Sequence, residues 1–157
     1  MKPEDYGIRK YKFRLDGTLD VFQSVFLLHK NLTELPFNFG EIDGLFDCSE
    51  NKLKNLKGAP EIVYDFYCYK NKLTSLKGAP KIVKGDFYCY NNKLKSLKYA
   101  PKIIEDEFSA HNNKLKNLEG LNLNGINNEI NLRHNPNLKL TEKEKLWATL
   151  NPGRLIL

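Results

Sequence analysis

The chain has 157 residues and a mass of 18.2 kDa, the size of one domain. A hydrophobic fraction of 41% against 28% charged residues supports a packed core and excludes a disordered or fibrous chain, and no apolar run is long enough for a membrane-spanning helix. The net charge of +6 points toward nucleic acid unless the charges lie away from a binding face; 21 of the 25 basic residues are Lys, and Asn occurs 18 times.

The N-terminus, Met1-Lys2-Pro3-Glu4-Asp5, lacks the apolar stretch of a signal peptide, so a cytoplasmic location is expected. Tyr11-Lys12-Phe13-Arg14-Leu15 and Thr18-Leu19-Asp20-Val21-Phe22 alternate around Asp16-Gly17, the pattern of a β-hairpin. Residues 1–24 are read as an N-terminal hairpin cap.

Residues 25–140 carry about six copies of one pattern. Asn recurs at 31, 51, 71, 92 and 113, spaced by 20, 20, 21 and 21, with a weaker copy at Asn135. Five residues before each stand Phe26, Phe46, Phe66, Phe87, Phe108 and Ile130; three before stand Leu28, Cys48, Cys68, Cys89, Ala110 and Leu132. Leu53, Leu73, Leu94 and Leu115 follow, then Leu56, Leu76, Leu97 and Leu118. The chain then turns through Gly58-Ala59-Pro60, Gly78-Ala79-Pro80 and Tyr99-Ala100-Pro101 into the apolar pairs Ile62-Val63, Ile82-Val83 and Ile103-Ile104. Period-2 alternation around the Phe and Cys predicts one short strand per repeat, and such repeats bury their apolar faces only by stacking. An Asn at a fixed place after each strand is suited to satisfy buried backbone groups between repeats.

The unit Phe-x-Cys-x-x-Asn-x-Leu-x-x-Leu resembles the leucine-rich repeat at its short, 20–21-residue end. Within that family the Lys-Gly-Ala-Pro-x-Ile-Val units resemble repeats of bacteriophage and bacterial proteins. The resemblance implies a solenoid with a curved parallel β-sheet on its concave face and extended or 3-10 convex segments. It also implies an interaction protein without catalytic activity. A phage-encoded inhibitor of a host or defence protein, acting in the host cytoplasm, is the function that the analogy suggests.

Residues 141–157 are read as a C-terminal helical cap. Thr141 and Glu144 form a capping box, Leu146, Trp147 and Leu150 share a helical face, and Asn151-Pro152-Gly153 ends the helix.

If the Phe and Cys point inward, the residues between them project from the concave face. Repeat by repeat these are Val25, Leu27 and His29; Leu45, Asp47 and Ser49; Asp65, Tyr67 and Tyr69; Asp86, Tyr88 and Tyr90; Glu107, Ser109 and His111; and Glu129, Asn131 and Arg133. Tyr is favoured at binding hot spots, and half of the eight Tyr fall here. The expected partner-binding residues are Asp47, Asp65, Tyr67, Tyr69, Asp86, Tyr88, Tyr90, Glu107, His111 and Arg133, and the expected partner is a protein with a basic docking surface. Lys52, Lys72, Lys93 and Lys114, Lys54, Lys95 and Lys116, and Lys57, Lys77 and Lys98 form stripes on the turns and convex flank. Nucleic-acid binding through these stripes is the alternative.

No phosphate-binding Gly-rich loop, Gly-x-Ser-x-Gly or His-Glu-x-x-His is present. Cys48, Cys68 and Cys89 are expected to be inward thiols, and no disulfide, metal or cofactor is expected. His29 and His111, placed in one column four repeats apart, cannot form a dyad. A monomer with no enzymatic activity and no membrane contact is expected.

Overall fold

The computed structural model describes residues 2–157. The chain winds into a β-solenoid of about seven stacked coils, each of roughly 21 residues. Tyr11–Phe13 (β1) and Leu19–Val21 (β2) pair antiparallel as the hairpin. Each coil as far as residue 104 contributes two short strands, and the later coils add to the second sheet alone. The first set is Phe39–Ile42 (β4), Ile62–Val63 (β6), Ile82–Val83 (β8) and Ile103–Ile104 (β10). The second set is Val25–Phe26 (β3), Phe46–Asp47 (β5), Phe66–Tyr67 (β7), Phe87–Tyr88 (β9), Phe108–Ser109 (β11) and Ile130–Asn131 (β12). After helix α1 (Glu142–Leu150), Leu155–Ile156 (β13) closes the array.

Two sheets result. One has the order β1-β2-β4-β6-β8-β10 and the other β13-β12-β11-β9-β7-β5-β3, and every pairing after the hairpin is parallel. The first sheet refines the expectation of extended or 3-10 segments: the extended segments pair into a sheet of their own. After each Gly-Ala-Pro turn the β-branched pair falls in register with its copy in the next coil, Ile62 opposite Ile82 and Val63 opposite Val83. Val63, Val83 and Ile104 point inward. Among the described residues, 3-10 turns occur only at Pro3–Tyr6 and Leu123–Gly125.

The core is a set of columns. Phe46, Phe66, Phe87 and Phe108 stack with centroids 5.5, 5.5 and 5.8 Å apart and near-parallel planes. Phe39 closes that column edge-on against Phe46 at 4.9 Å. Beside them run Cys48, Cys68 and Cys89 and the two Leu columns, all buried. Each buried Phe or Leu contributes about 1.5–3 kcal/mol over an exposed one.

Asn51, Asn71, Asn92, Asn113 and Asn135 form a buried ladder between coils. Asn92 shows the pattern: its Nδ2 donates to Cys68 O and Cys89 O, both at 3.1 Å, and its Oδ1 accepts from Leu73 N at 3.0 Å. The residue before each Asn (Glu50, Lys70, Asn91, Asn112 and His134) has φ between 50° and 57°, the left-handed turn that swings the amide inward.

The first coil does not follow the expected register. Val25, not Phe26, lies opposite Phe46, so Lys30 rather than Asn31 falls at the ladder position. Val25 and Leu27 are buried, while Phe26 is 52% exposed. The ladder therefore starts at Asn51, whose amide reaches back to Leu27 O and accepts from Lys30 N and Leu32 N. The physical reason is that two aliphatic side chains fill the end of the core as well as the Phe-Cys pair does, so spacing from an Asn alone does not set the register.

At the other end the capping box forms, with Thr141 Oγ1 accepting from Glu144 N and Glu144 Oε2 accepting from Thr141 N. The expected apolar helix face corrects in part. Leu146 and Leu150 are exposed, and Trp147 alone of the three packs on the core. Its Nε1 donates to Asn124 Oδ1 at 2.8 Å, and the Arg154 guanidinium lies over its ring. Leu138, Leu140 and Leu155 complete the cover. No helix among the described residues is long and apolar enough to cross a membrane.

Candidate functional site

The outward face of the second sheet presents three columns of side chains, because successive residues of a strand alternate sides. The register error at the first coil changes the first rung: Ser24, Phe26 and Leu28 stand there instead of Val25, Leu27 and His29. His29 lies at the left-handed turn position with Glu50, and its Nε2 is 3.3 Å from Glu50 Oε2. It does not share a column with His111.

Asp47 is 6% exposed, so it is not presented for binding. Its Oδ1 accepts from both the backbone N and the Oγ of Ser49, at 2.9 and 2.5 Å. A short hydroxyl two residues on lets the carboxylate fold back onto its own strand, and Ser49 is buried with it.

The four Tyr come together as expected. Tyr67 stacks on Tyr88 at 4.8 Å and 10°, and Tyr69 on Tyr90 at 4.5 Å and 5°. The second stack continues onto His111, whose ring lies 4.3 Å from that of Tyr90. Parallel in-register strands impose this spacing, which matches the usual interstrand distance of about 4.8 Å. Burial pushes the Tyr67 phenol up to about 12, with the Asp65 and Asp86 carboxylates adding to it. Burial also pushes Tyr90 up to about 12. Tyr88 is raised by burial and then by its hydrogen bonds to Glu107 and Asp86.

The acidic column has a structural part and a free part. Asp65 Oδ1 accepts from Asp86 N at 2.8 Å, and Asp86 Oδ1 from Glu107 N at 3.0 Å, so two of the acids tie one coil to the next. Gly85 fits beneath Asp65 because any Cβ there would meet Asp65 Oδ1 at 2.2 Å. The Tyr88 hydroxyl stands 3.0 Å from Asp86 Oδ2 and 3.0 Å from Glu107 Oε2. Among the described residues none of Asp65, Asp86, Glu107 and Glu129 forms an ion pair. Burial raises the Asp65 carboxyl above its ordinary value, and the neighbouring Asp86 and Asp106 carboxylates push the same way.

Beyond Tyr88 and Tyr90 the face drops to Ser109 and Asn131. This leaves an open depression of about 310 Å³, lined also by Glu107, Phe108, His111 and Glu129. Ser109 Oγ and His111 Nδ1 lie 2.8 Å apart. Burial holds the His111 imidazole below its ordinary value, and His134 and Arg133 push it the same way. Arg133 is exposed at the last rung. The depression was legible in the small residues of one column, Ser109 and Asn131; Phe26 and Leu28 were not, because the first-coil register hid them.

The Lys stripes are exposed as expected, and among the described residues none of the ten enters an ion pair. The three Cys are free and fully buried, and burial pushes each thiol up, away from the thiolate that a nucleophile or metal ligand needs. No group of acids, Cys and His among the described residues is placed to hold a metal ion. In comparisons with known proteins no family matches the chain, and no curated protein or solved structure shows significant similarity to it.

Proposed function

We propose that this chain is a non-enzymatic interaction module of the leucine-rich-repeat type that binds a partner protein through the outward face of its second sheet. The observation that carries the reading is the aromatic platform: four Tyr and His111 in two adjacent stacks, edged by acids that form no ion pair among the described residues. Rigid stacked rings offer contact area at little entropy cost, and unpaired acids favour a partner with a basic docking surface. Tyr67, Tyr69, Tyr88 and Tyr90 are the anchors, and Asp65, Asp86 and Glu107 face the basic groups. The Asn ladder and the Leu columns support the leucine-rich-repeat assignment. On the resemblance of its Gly-Ala-Pro units to phage-encoded repeats, we extend the reading to a cytoplasmic monomer that inhibits a host or defence protein.

The test is affinity capture from a bacterial host lysate with the parent chain and the Tyr67→Ala/Tyr88→Ala double variant. The expected result is a protein partner retained by the parent and lost by the variant, whose circular dichroism stays unchanged. Equal capture by both sinks the reading. One observation favours a second reading, nucleic-acid binding: the ten unpaired Lys on the opposite flank. Binding of labelled RNA or duplex DNA that weakens steeply with salt, and is untouched by the Tyr variant, decides for it.

A further inference from the structure

One of the two ring columns on the binding face is interrupted. In the first, Tyr69, Tyr90 and His111 stack without a break, at 4.5 and 4.3 Å. In the second, Tyr67 covers one face of Tyr88 at 4.8 Å, and the next coil places Ser109 in register with Tyr88. The other face of the Tyr88 ring therefore meets no ring and looks into the depression of about 310 Å³.

We propose that this depression receives an arginine side chain of the partner protein, whose guanidinium stacks on Tyr88 as the missing rung while Glu107 and Glu129 accept its N–H groups. The inference rests on the reading of this face as the partner surface. Three features select arginine. The vacancy lies one coil beyond Tyr88, and the adjacent column shows that a planar nitrogen heterocycle, His111, stacks at that level. A guanidinium is planar, so it can lie flat on an aromatic face while its edge donates to carboxylates; an ammonium meets such a face only as a compact point charge.

The second feature is an excess of acceptors. The Tyr88 phenol has one proton for two carboxylate oxygens, Asp86 Oδ2 and Glu107 Oε2, so it can donate fully to only one of them, and Glu107 lines the depression. The third is charge. Among the described residues Glu107, Glu129 and Arg133 form no ion pair, and Arg154 is engaged with Asn128 O, Ile126 O and the Trp147 ring. A forked donor supplies what these acids lack.

The probes are labelled nona-arginine, nona-lysine and nona-citrulline peptides at about 150 mM salt, where long-range charge effects are screened. The protein's charge of +6 opposes cationic peptides, so binding reports a local site. The expected result is that nona-arginine binds at least about five-fold more tightly than nona-lysine, that nona-citrulline does not bind, and that the His111 and Tyr88 ring resonances shift. Ser109→Tyr, which builds the rung from the chain itself, should abolish the arginine preference with circular dichroism unchanged. Should that variant not fold, Glu129→Gln carries the test, with arginine binding weakened about three-fold or more. Equal affinity for arginine and lysine, or a preference that survives both variants, overturns the proposal. If that happens while partner capture still depends on Tyr67 and Tyr88, only the missing rung falls. If capture is indifferent to the Tyr variant too, the reading of the face falls with it.

Discussion

Removing the Asn92 side chain tests the ladder that joins the coils. In Asn92→Ala the Leu73 N–H loses its acceptor, while Cys68 O and Cys89 O each lose one of two amide donors and keep those of Asn71 and Asn113. These contacts are buried, so water does not replace them at no cost. The Leu73 N–H is the one group orphaned outright, and an orphaned buried polar group costs about 1–3 kcal/mol. For a chain of this length a loss of about 2 kcal/mol corresponds to a fall in Tm of about 6 °C. Asn92→Asp should cost more at neutral pH. It keeps an acceptor for Leu73 N but sets a charged oxygen against two carbonyl oxygens. Its carboxyl would titrate above the ordinary Asp value in the folded chain, so the Asp variant's stability is greatest at acid pH and falls as pH rises through that raised value. Urea unfolding followed by circular dichroism at pH 4 and pH 7 measures both effects. Asn55→Ala serves as the control, because its exposed side chain only accepts from Lys57 N, and it should cost about 0.5 kcal/mol or less. If Asn92→Ala unfolds within about 1 kcal/mol of the parent, the ladder is not what the coils rely on.

Two further outcomes follow from single residues. His111, held down by burial, should titrate by NMR below the ordinary imidazole value of about 6.5. The folded chain resists the proton that the unfolded chain accepts, so its stability contribution is present above about pH 6.5 and is lost as pH falls through that value. His111→Asn should flatten this part of the stability profile, and a midpoint at or above the ordinary value would contradict the burial argument. Tyr99 occupies, at φ 74°, the turn position that Gly58, Gly78 and Gly120 fill in other coils. Tyr99→Gly should therefore raise the unfolding free energy by up to about 1 kcal/mol, and a loss of stability would show that the ring's contacts outweigh the strain.

The sequence by itself determined the repeat, the strand at its Phe-Cys segment and the interior of the coils after the first. Phe and Cys alternate with period 2, and the Leu and Asn recur at one spacing, so local pattern and stacking demand agree on which side chains face inward. It also placed Tyr67, Tyr69, Tyr88 and Tyr90 together, because equal positions in equal repeats must stack. What only the tertiary structure decided arises between coils or at their ends. The first coil's register turned on Val25 and Leu27 filling the core as well as the aromatic pair would. Asp47 folded back onto its own strand because Ser49 could bond it, and Ile62 with its copies became a second sheet because register across coils supplied the hydrogen bonds. The vacancy beside Tyr88 exists only in the stacked form. A Ser in one strand is unremarkable until the neighbouring coil sets an aromatic face beside it. Contacts between residues about 20 positions apart depend on how coils align, and no window along the chain contains that information.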